Sequence, residues 1–183
     1  MIDEKQIEFF SKNGAIFLKG YFTDWIEVLK SGIEKLIDNP SPRERSYTPK
    51  DGTAPFFQDL CNWQRIPEFE KFIFNSDIGE VASKLMQSNV SRFFHDHVLV
   101  KEPGSSIVTP WHQDQSYYCT SGKQTISFWI PLDNISLNNT LSCISGSHKW
   151  GKLHKPKRFD GTDLFENDNS EDVPDIDNNL DRY

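Results

Sequence analysis

Basic residues are in the minority, cysteines are few and long apolar runs are missing, and each shortage closes off a class of protein. The chain has 20 Lys and Arg against 27 Asp and Glu, a net charge of -7. A nucleic-acid partner calls for a basic stripe to meet its phosphates, and none is visible. The three cysteines, Cys61, Cys119 and Cys143, stand far apart with no Cys-x-x-Cys pair, so neither a disulfide framework nor a structural zinc is expected. Reduced thiols in a cytoplasmic protein are the expectation. No stretch approaches the ~20 apolar residues of a membrane span, and Asp3, Glu4 and Lys5 leave no room for the apolar core of a signal peptide. What is present, 183 residues with 36% hydrophobic and 13% aromatic content, suffices for one domain with a sizeable core.

The first half of the chain reads helical and the second half extended. Residues 6–13 place Ile7, Phe9 and Phe10 at roughly helical spacing and stop at Asn13-Gly14. Residues 15–19 alternate as a short strand. Thr23 or Asp24 is placed to cap a helix that ends at Leu36 or Ile37, with Trp25, Val28 or Leu29, Ile33 and Leu36 facing inward. Residues 39–55, rich in Pro, Ser, Arg and Asp, form a long loop. Phe56, Phe57, Leu60 and Trp63 then read as core aromatics and aliphatics, or as the lining of a site's mouth. Residues 68–75 and 78–87 read as helices. From Val90 the period changes to two: residues 90–100, closed by Glu102-Pro103-Gly104, then 125–132 and 141–144 read as strands. The expected organisation is a single domain over residues 1–183, with a helical layer at 1–89, core strands at 90–150 and a polar, acidic, solvated or disordered loop or tail at 151–183.

Between the first two of those strands lies Thr109-Pro110-Trp111-His112-Gln113-Asp114-Gln115-Ser116-Tyr117-Tyr118. Side chains two apart on a strand share a face, so His112 and Asp114 can converge on one metal. A His and a carboxylate, completed by a second His, make the facial triad of non-heme Fe(II) oxygenases. The bare pair carries little weight, because five His and 27 acidic residues in 183 supply roughly 0.7 such pairs by chance. His95 and His97 are also two apart and raise the same metal hypothesis. The densest basic stretch holds Lys149, Lys152, Lys155, Lys157 and Arg158; it reads either as a solvated loop or as a site for a substrate's carboxylate or phosphate.

Four blocks supply context: Phe93 to Lys101 with Glu102-Pro103-Gly104, Thr109 to Gln115, Ser127-Phe128-Trp129-Ile130-Pro131-Leu132-Asp133, and Ser145-Gly146-Ser147-His148-Lys149-Trp150-Gly151. In this order and spacing the chain resembles the phytanoyl-CoA dioxygenase family. The resemblance implies a mainly β fold with N-terminal α helices, the double-stranded β-helix or cupin-like jelly roll. It also implies an Fe(II)- and 2-oxoglutarate-dependent dioxygenase that uses O2 to hydroxylate a small molecule, a metabolite or an acyl thioester, while 2-oxoglutarate is decarboxylated to succinate. By residue it makes His112 and Asp114 the catalytic metal ligands and puts Gln113 and Trp129 at the 2-oxoglutarate, although in a regular strand Gln113 faces away from the pair. Asp114 favours hydroxylation over the halogenation seen where the family loses this carboxylate. Trp111, Gln115, Tyr117 and Tyr118 flank the pair as candidate substrate contacts, with core packing the alternative.

The family's later motif, Gly-Asp followed by an apolar strand, a distal His and an Arg, has no counterpart. His148 precedes Arg158 by ten residues, but the family's Gly-Ser-His lies upstream of the distal His, so this spacing reads as a decoy. A jelly roll needs about eight strands, more than residues 90–183 offer. The expectation is therefore an incomplete barrel, truncated at its C-terminus, with the third ligand beyond Tyr183; the alternative is a compact variant that uses His148 or His154. A catalytically incomplete, cupin-like binding or structural protein is the competing function. A zinc hydrolase lacks the second motif it would need.

Overall fold

An apolar helical stripe must be buried against something, and in the computed structural model, which describes residues 2–166 and 169–183, the helices bury theirs largely on one another. Helix α1 (Glu4–Asn13) opens with a capping box, in which the Asp3 carboxylate accepts from the Gln6 N–H and the Gln6 side chain accepts from the Asp3 N–H. It closes at Gly14, whose φ of 82° is left-handed. Helix α2 (Ile26–Asp38) crosses α3 (Pro67–Asn75) at Gly32, where a Cβ would sit 2.6 Å from the Phe69 ring; only glycine permits that approach. Leu29, Leu36, Ile66, Phe69, Phe72 and Val98 form one core cluster. Helix α4 (Ile78–Leu85) contributes Val81 and Leu85 to a second, shared with Ile2, Ile7 and Phe10. The expected α2 cap is not used: Thr23–Trp25 is a single 3-10 turn before the helix, and the Thr23 hydroxyl donates back to the Gly20 carbonyl at 3.1 Å.

Strands β1 (Phe56–Leu60) and β2 (His97–Lys101) pair antiparallel, from Phe56 opposite Lys101 to Leu60 opposite His97, and Tyr47 bridges to Phe56 from the outer side. The pairing divides the side chains. Phe57, Val98 and Val100 go down onto the helical cluster. Phe56, Gln58, Leu60, His97, Leu99 and Lys101 take the opposite face. Asp59 is fully buried at the edge of the helical layer, accepting from the Ser41 N–H at 2.7 Å, the Ser41 hydroxyl at 2.5 Å and the Leu60 N–H at 2.7 Å.

Among the described residues this two-stranded sheet stands where a jelly-roll core was expected over residues 90–150. Residues 15–19, 90–96, 125–132 and 141–144 are not strands. Yet 125–132 keeps its period of two: Ile126, Phe128, Ile130 and Leu132 pack on the helical clusters, while Thr125, Ser127, Trp129 and Pro131 face out. Alternation reports which side is covered, whereas a strand also needs a neighbour's backbone to bond to, and among the described residues 125–132 makes no backbone–backbone hydrogen bond. β1 escaped notice because Phe56-Phe57-Gln58-Asp59-Leu60 does not alternate; it is covered on both faces.

The described residues of 151–183 are mostly exposed, yet several of them are fastened to one another. Lys155 N–H donates to the Glu171 carbonyl at 2.8 Å, Ile176 is buried, and Lys152, Lys155 and Lys157 pair with Glu171, Asp163 and Asp172. Asn167 and Asp168 of this segment lie outside the described residues. The three cysteines are free, and no described helix is long and apolar enough to cross a membrane.

Burial pushes the Asp59 pKa up, but hydrogen bonds from Ser41, Asn62 and Leu60 outweigh it and hold the carboxyl below its ordinary value. Its contribution is therefore present above the unfolded carboxylate pKa of about 3.9 and fades as pH falls through the lower folded value. Asp59→Asn is expected to cost about 2 kcal/mol at pH 7, and less below pH ~3. Urea unfolding at the two pH values measures both.

Candidate metal centre

After β2 the chain turns at Glu102-Pro103-Gly104 and runs to Gln113, whose backbone is extended, before a 3-10 turn over Asp114–Tyr117. That change of direction brings His112 Nε2 to 3.3 Å from Asp114 Oδ1. The other ring nitrogen, Nδ1, lies 2.8 Å from the Pro110 carbonyl. A carbonyl only accepts, so Nδ1 carries a proton and the neutral ring presents the Nε2 lone pair beside the carboxylate. Two ligands each ~2.1 Å from one ion and at right angles lie about 3 Å apart, so the spacing and donor types fit a shared metal. The two groups also favour each other's charged forms: the Asp114 carboxylate, as acceptor, raises the His112 pKa against the effect of burial, and His112 holds the Asp114 carboxyl below its usual range.

The hydroxyls of Ser127 and Tyr118, 3.3 Å from each other, face Asp114 and help to lower its pKa. The Tyr118 ring packs edge-on against Phe94 and His95, with centroids 5.6 and 5.3 Å away. The Asp114 charge acts on His95, His97 and Cys143 as well. Burial of its ring lowers the His95 pKa. His97, though the residue keeps solvent contact, is pushed to about 4 by ring burial and then by His95. The Gln58 amide nitrogen donates to the Arg45 carbonyl at 2.7 Å, which turns its oxygen to His97 Nε2 at 2.9 Å. His97 therefore donates through Nε2. Among the described residues no three His, Cys, Asp or Glu side chains are grouped so as to hold a metal. The two extra imidazoles border the pair without joining it.

The flanking residues have other partners. The Trp111 indole N–H donates to Asp177 at 2.8 Å. Gln113, expected at 2-oxoglutarate, spends both ends of its amide on the 152–154 loop, accepting from the His154 N–H at 2.8 Å and donating to the Lys152 carbonyl at 3.2 Å. Gln115 bonds Thr120 and Thr125. Tyr117 sets its ring edge-on to His112 at 5.5 Å, while its hydroxyl donates to the Lys157 carbonyl at 2.6 Å and accepts from the Lys157 N–H at 3.0 Å. Trp129 is 43% exposed on the outward face of 125–132, the face that also carries Ser127. That shared face was readable from the spacing of 127 and 129, and Ser127 was still missed.

His148 sits elsewhere. Its Nε2 donates to the Ser11 carbonyl at 3.2 Å, and its ring fills the space a Cβ on Gly14 would need. Gly146 N–H donates to the Asn13 carbonyl and Lys149 Nζ to that of Lys12. The Gly-Ser-His-Lys block thus caps the C-terminus of α1, where donors and cations meet unpaired carbonyls. His154 is 2% exposed, and neither ring nitrogen has a hydrogen-bond partner among the described residues. Of the candidate anion site Lys149, Lys152, Lys155, Lys157 and Arg158, the lysines at 152, 155 and 157 are each matched by a carboxylate, Lys149 goes to α1, and Arg158 donates to the Asp163 and Leu164 carbonyls.

No curated protein and no solved structure matches the chain. A family model described as phytanoyl-CoA dioxygenase matches residues 10–179.

Removing the two hydroxyls that favour the charged form of Asp114 leaves both ligands in place but makes one of them a poorer anion. Combining Tyr118→Phe with Ser127→Ala is expected to raise the Co(II) dissociation constant about 10–100-fold. Titrating the cobalt absorption of the variant against the parent chain reads this directly.

Proposed function

The chain belongs to the phytanoyl-CoA dioxygenase family, and from that premise we propose that it is an Fe(II)- and 2-oxoglutarate-dependent dioxygenase that hydroxylates a small molecule, with His112 and Asp114 as two of the iron's protein ligands. The family's fold is a cupin-like jelly roll and its enzymes in general use Fe(II) and 2-oxoglutarate. The observation that carries the reading is the approach of His112 Nε2 to Asp114 Oδ1, 3.3 Å, with the other ring nitrogen occupied by a backbone carbonyl. When bound, iron and 2-oxoglutarate would activate O2, the oxidant, with 2-oxoglutarate giving up two electrons as it becomes succinate and CO2, chemistry that no amino-acid side chain supplies.

The protein's own contribution is orientation. The Pro110 carbonyl fixes the His112 tautomer, and the Tyr117 ring, anchored through its hydroxyl to residue 157, supports the imidazole from the side. The Ser127 and Tyr118 hydroxyls favour the charged form of Asp114, the form that meets an ion. Trp129 remains exposed and available to a ligand, whereas Gln113 is committed to the 152–154 loop. A second reading, a binding protein on the same scaffold without turnover, is favoured by the fact that the described residues group only two ligands.

Anaerobic addition of Fe(II) and 2-oxoglutarate is expected to produce a weak visible charge-transfer band that His112→Ala abolishes and His148→Ala leaves intact. Admitting oxygen with substrate extracts and assaying succinate separates the two readings. A folded chain that shows no band would remove the metal assignment; a band without succinate would favour the binding protein.

A further inference from the structure

The face of the sheet turned away from the helices carries a row of side chains that the metal pair does not use. Tyr47, Phe56 and Lys101 are directly opposite one another across three segments, so they share that face. Tyr47 stacks on Phe56 at 6.5 Å, and Phe159 closes edge-on over both, at 5.7 and 4.8 Å. Lys101 Nζ lies 5.0 Å from the centroid of the Phe56 ring, a cation over an aromatic face. Along β2 the same face continues through Leu99, 43% exposed, to His97, on which the Asp114 charge acts. Four residues at about 3.3 Å each put Lys101 roughly 13 Å from His97.

Lys101 differs from the other lysines near the pair. Lys152, Lys155 and Lys157 are each neutralised by a carboxylate, and the cleft of about 230 Å³ between Pro110-Trp111 and residues 173–177 is lined by two of those satisfied lysines. Among the described residues Lys101 has no carboxylate partner. Partial burial draws its pKa down with nothing on the other side to raise it. A cation held over an aromatic ring, on the strand that leads to the metal pair and without a counter-ion, is a vacancy of charge that a ligand can fill.

We propose that Lys101 is a specificity-determining residue: it takes an anionic group, carboxylate or phosphate, of the substrate, whose apolar body lies along Leu99 toward His97 and the metal pair. This rests on the reading of His112 and Asp114 as the reacting centre. The binding test needs no metal, so it fails or succeeds separately from that reading.

The probes are 1-anilinonaphthalene-8-sulfonate, whose sulfonate stands in for the anion, and N-phenyl-1-naphthylamine, the same ring system uncharged. Lys101→Met keeps the aliphatic stem over Phe56 and the strand pairing, which a matching urea midpoint verifies. It is expected to weaken the sulfonate dye tenfold or more and the neutral dye less than twofold, while Lys101→Arg and the remote Lys123→Met bind both dyes as the parent does. Unchanged sulfonate binding in Lys101→Met, or equal weakening of both dyes, would overturn the proposal.

Discussion

Backbone N–H and C=O groups must find partners, and in this chain β1 and β2 find them in each other. That pairing lets one sequence serve two environments. Alternate side chains of β2 go down into the helical core at Val98 and Val100 and up to the site at His97, Leu99 and Lys101. The helices set the position of the sheet, and the sheet sets the wall beside which the His112–Asp114 pair stands. A one-residue slip in the β1–β2 register would exchange these faces, sending Lys101 into the apolar core and Val100 to the site.

Elsewhere long-range order comes from side chains bonded to distant backbone instead of from ladders. Gln113 spans to residues 152 and 154, Tyr117 to 157, and His148 with Lys149 to the end of α1. Each bond joins segments far apart in sequence and so restricts how the stretch around His112 can move relative to the rest. The same residue types that look like ligand contacts in a sequence serve here as fasteners. A side chain with both ends of its amide engaged, as in Gln113, has little left to offer a ligand.

Electrostatic matching follows a similar division. The basic stretch at 149–158 looked like an anion site because lysines were dense, but density in sequence says nothing of which carboxylates fold back onto them. Glu171, Asp163 and Asp172 do so for Lys152, Lys155 and Lys157, while Lys149 and Arg158 turn to backbone carbonyls. Lys101, isolated in sequence and unremarked there, is the cation left over an aromatic ring with no counter-ion among the described residues. Local composition signals charge; only the fold decides whether that charge is already answered.

The sequence by itself determined the helices, because the 3.6-residue period of Leu29, Ile33 and Leu36 or of Val81, Ala82 and Leu85 is a local property. It also determined the family, through the ordered blocks around Trp111-His112-Gln113-Asp114, and the convergence of His112 with Asp114, since the two are only two residues apart. The tertiary structure decided what depends on distant partners. It paired β1 with β2, left 125–132 alternating without a backbone–backbone hydrogen bond among the described residues, turned the Ser127 and Tyr118 hydroxyls toward Asp114, and fastened His148 to α1. Periodicity reaches as far as one element, whereas a hydrogen bond across 137 residues, such as that from His148 to Ser11, exists only once the chain has folded.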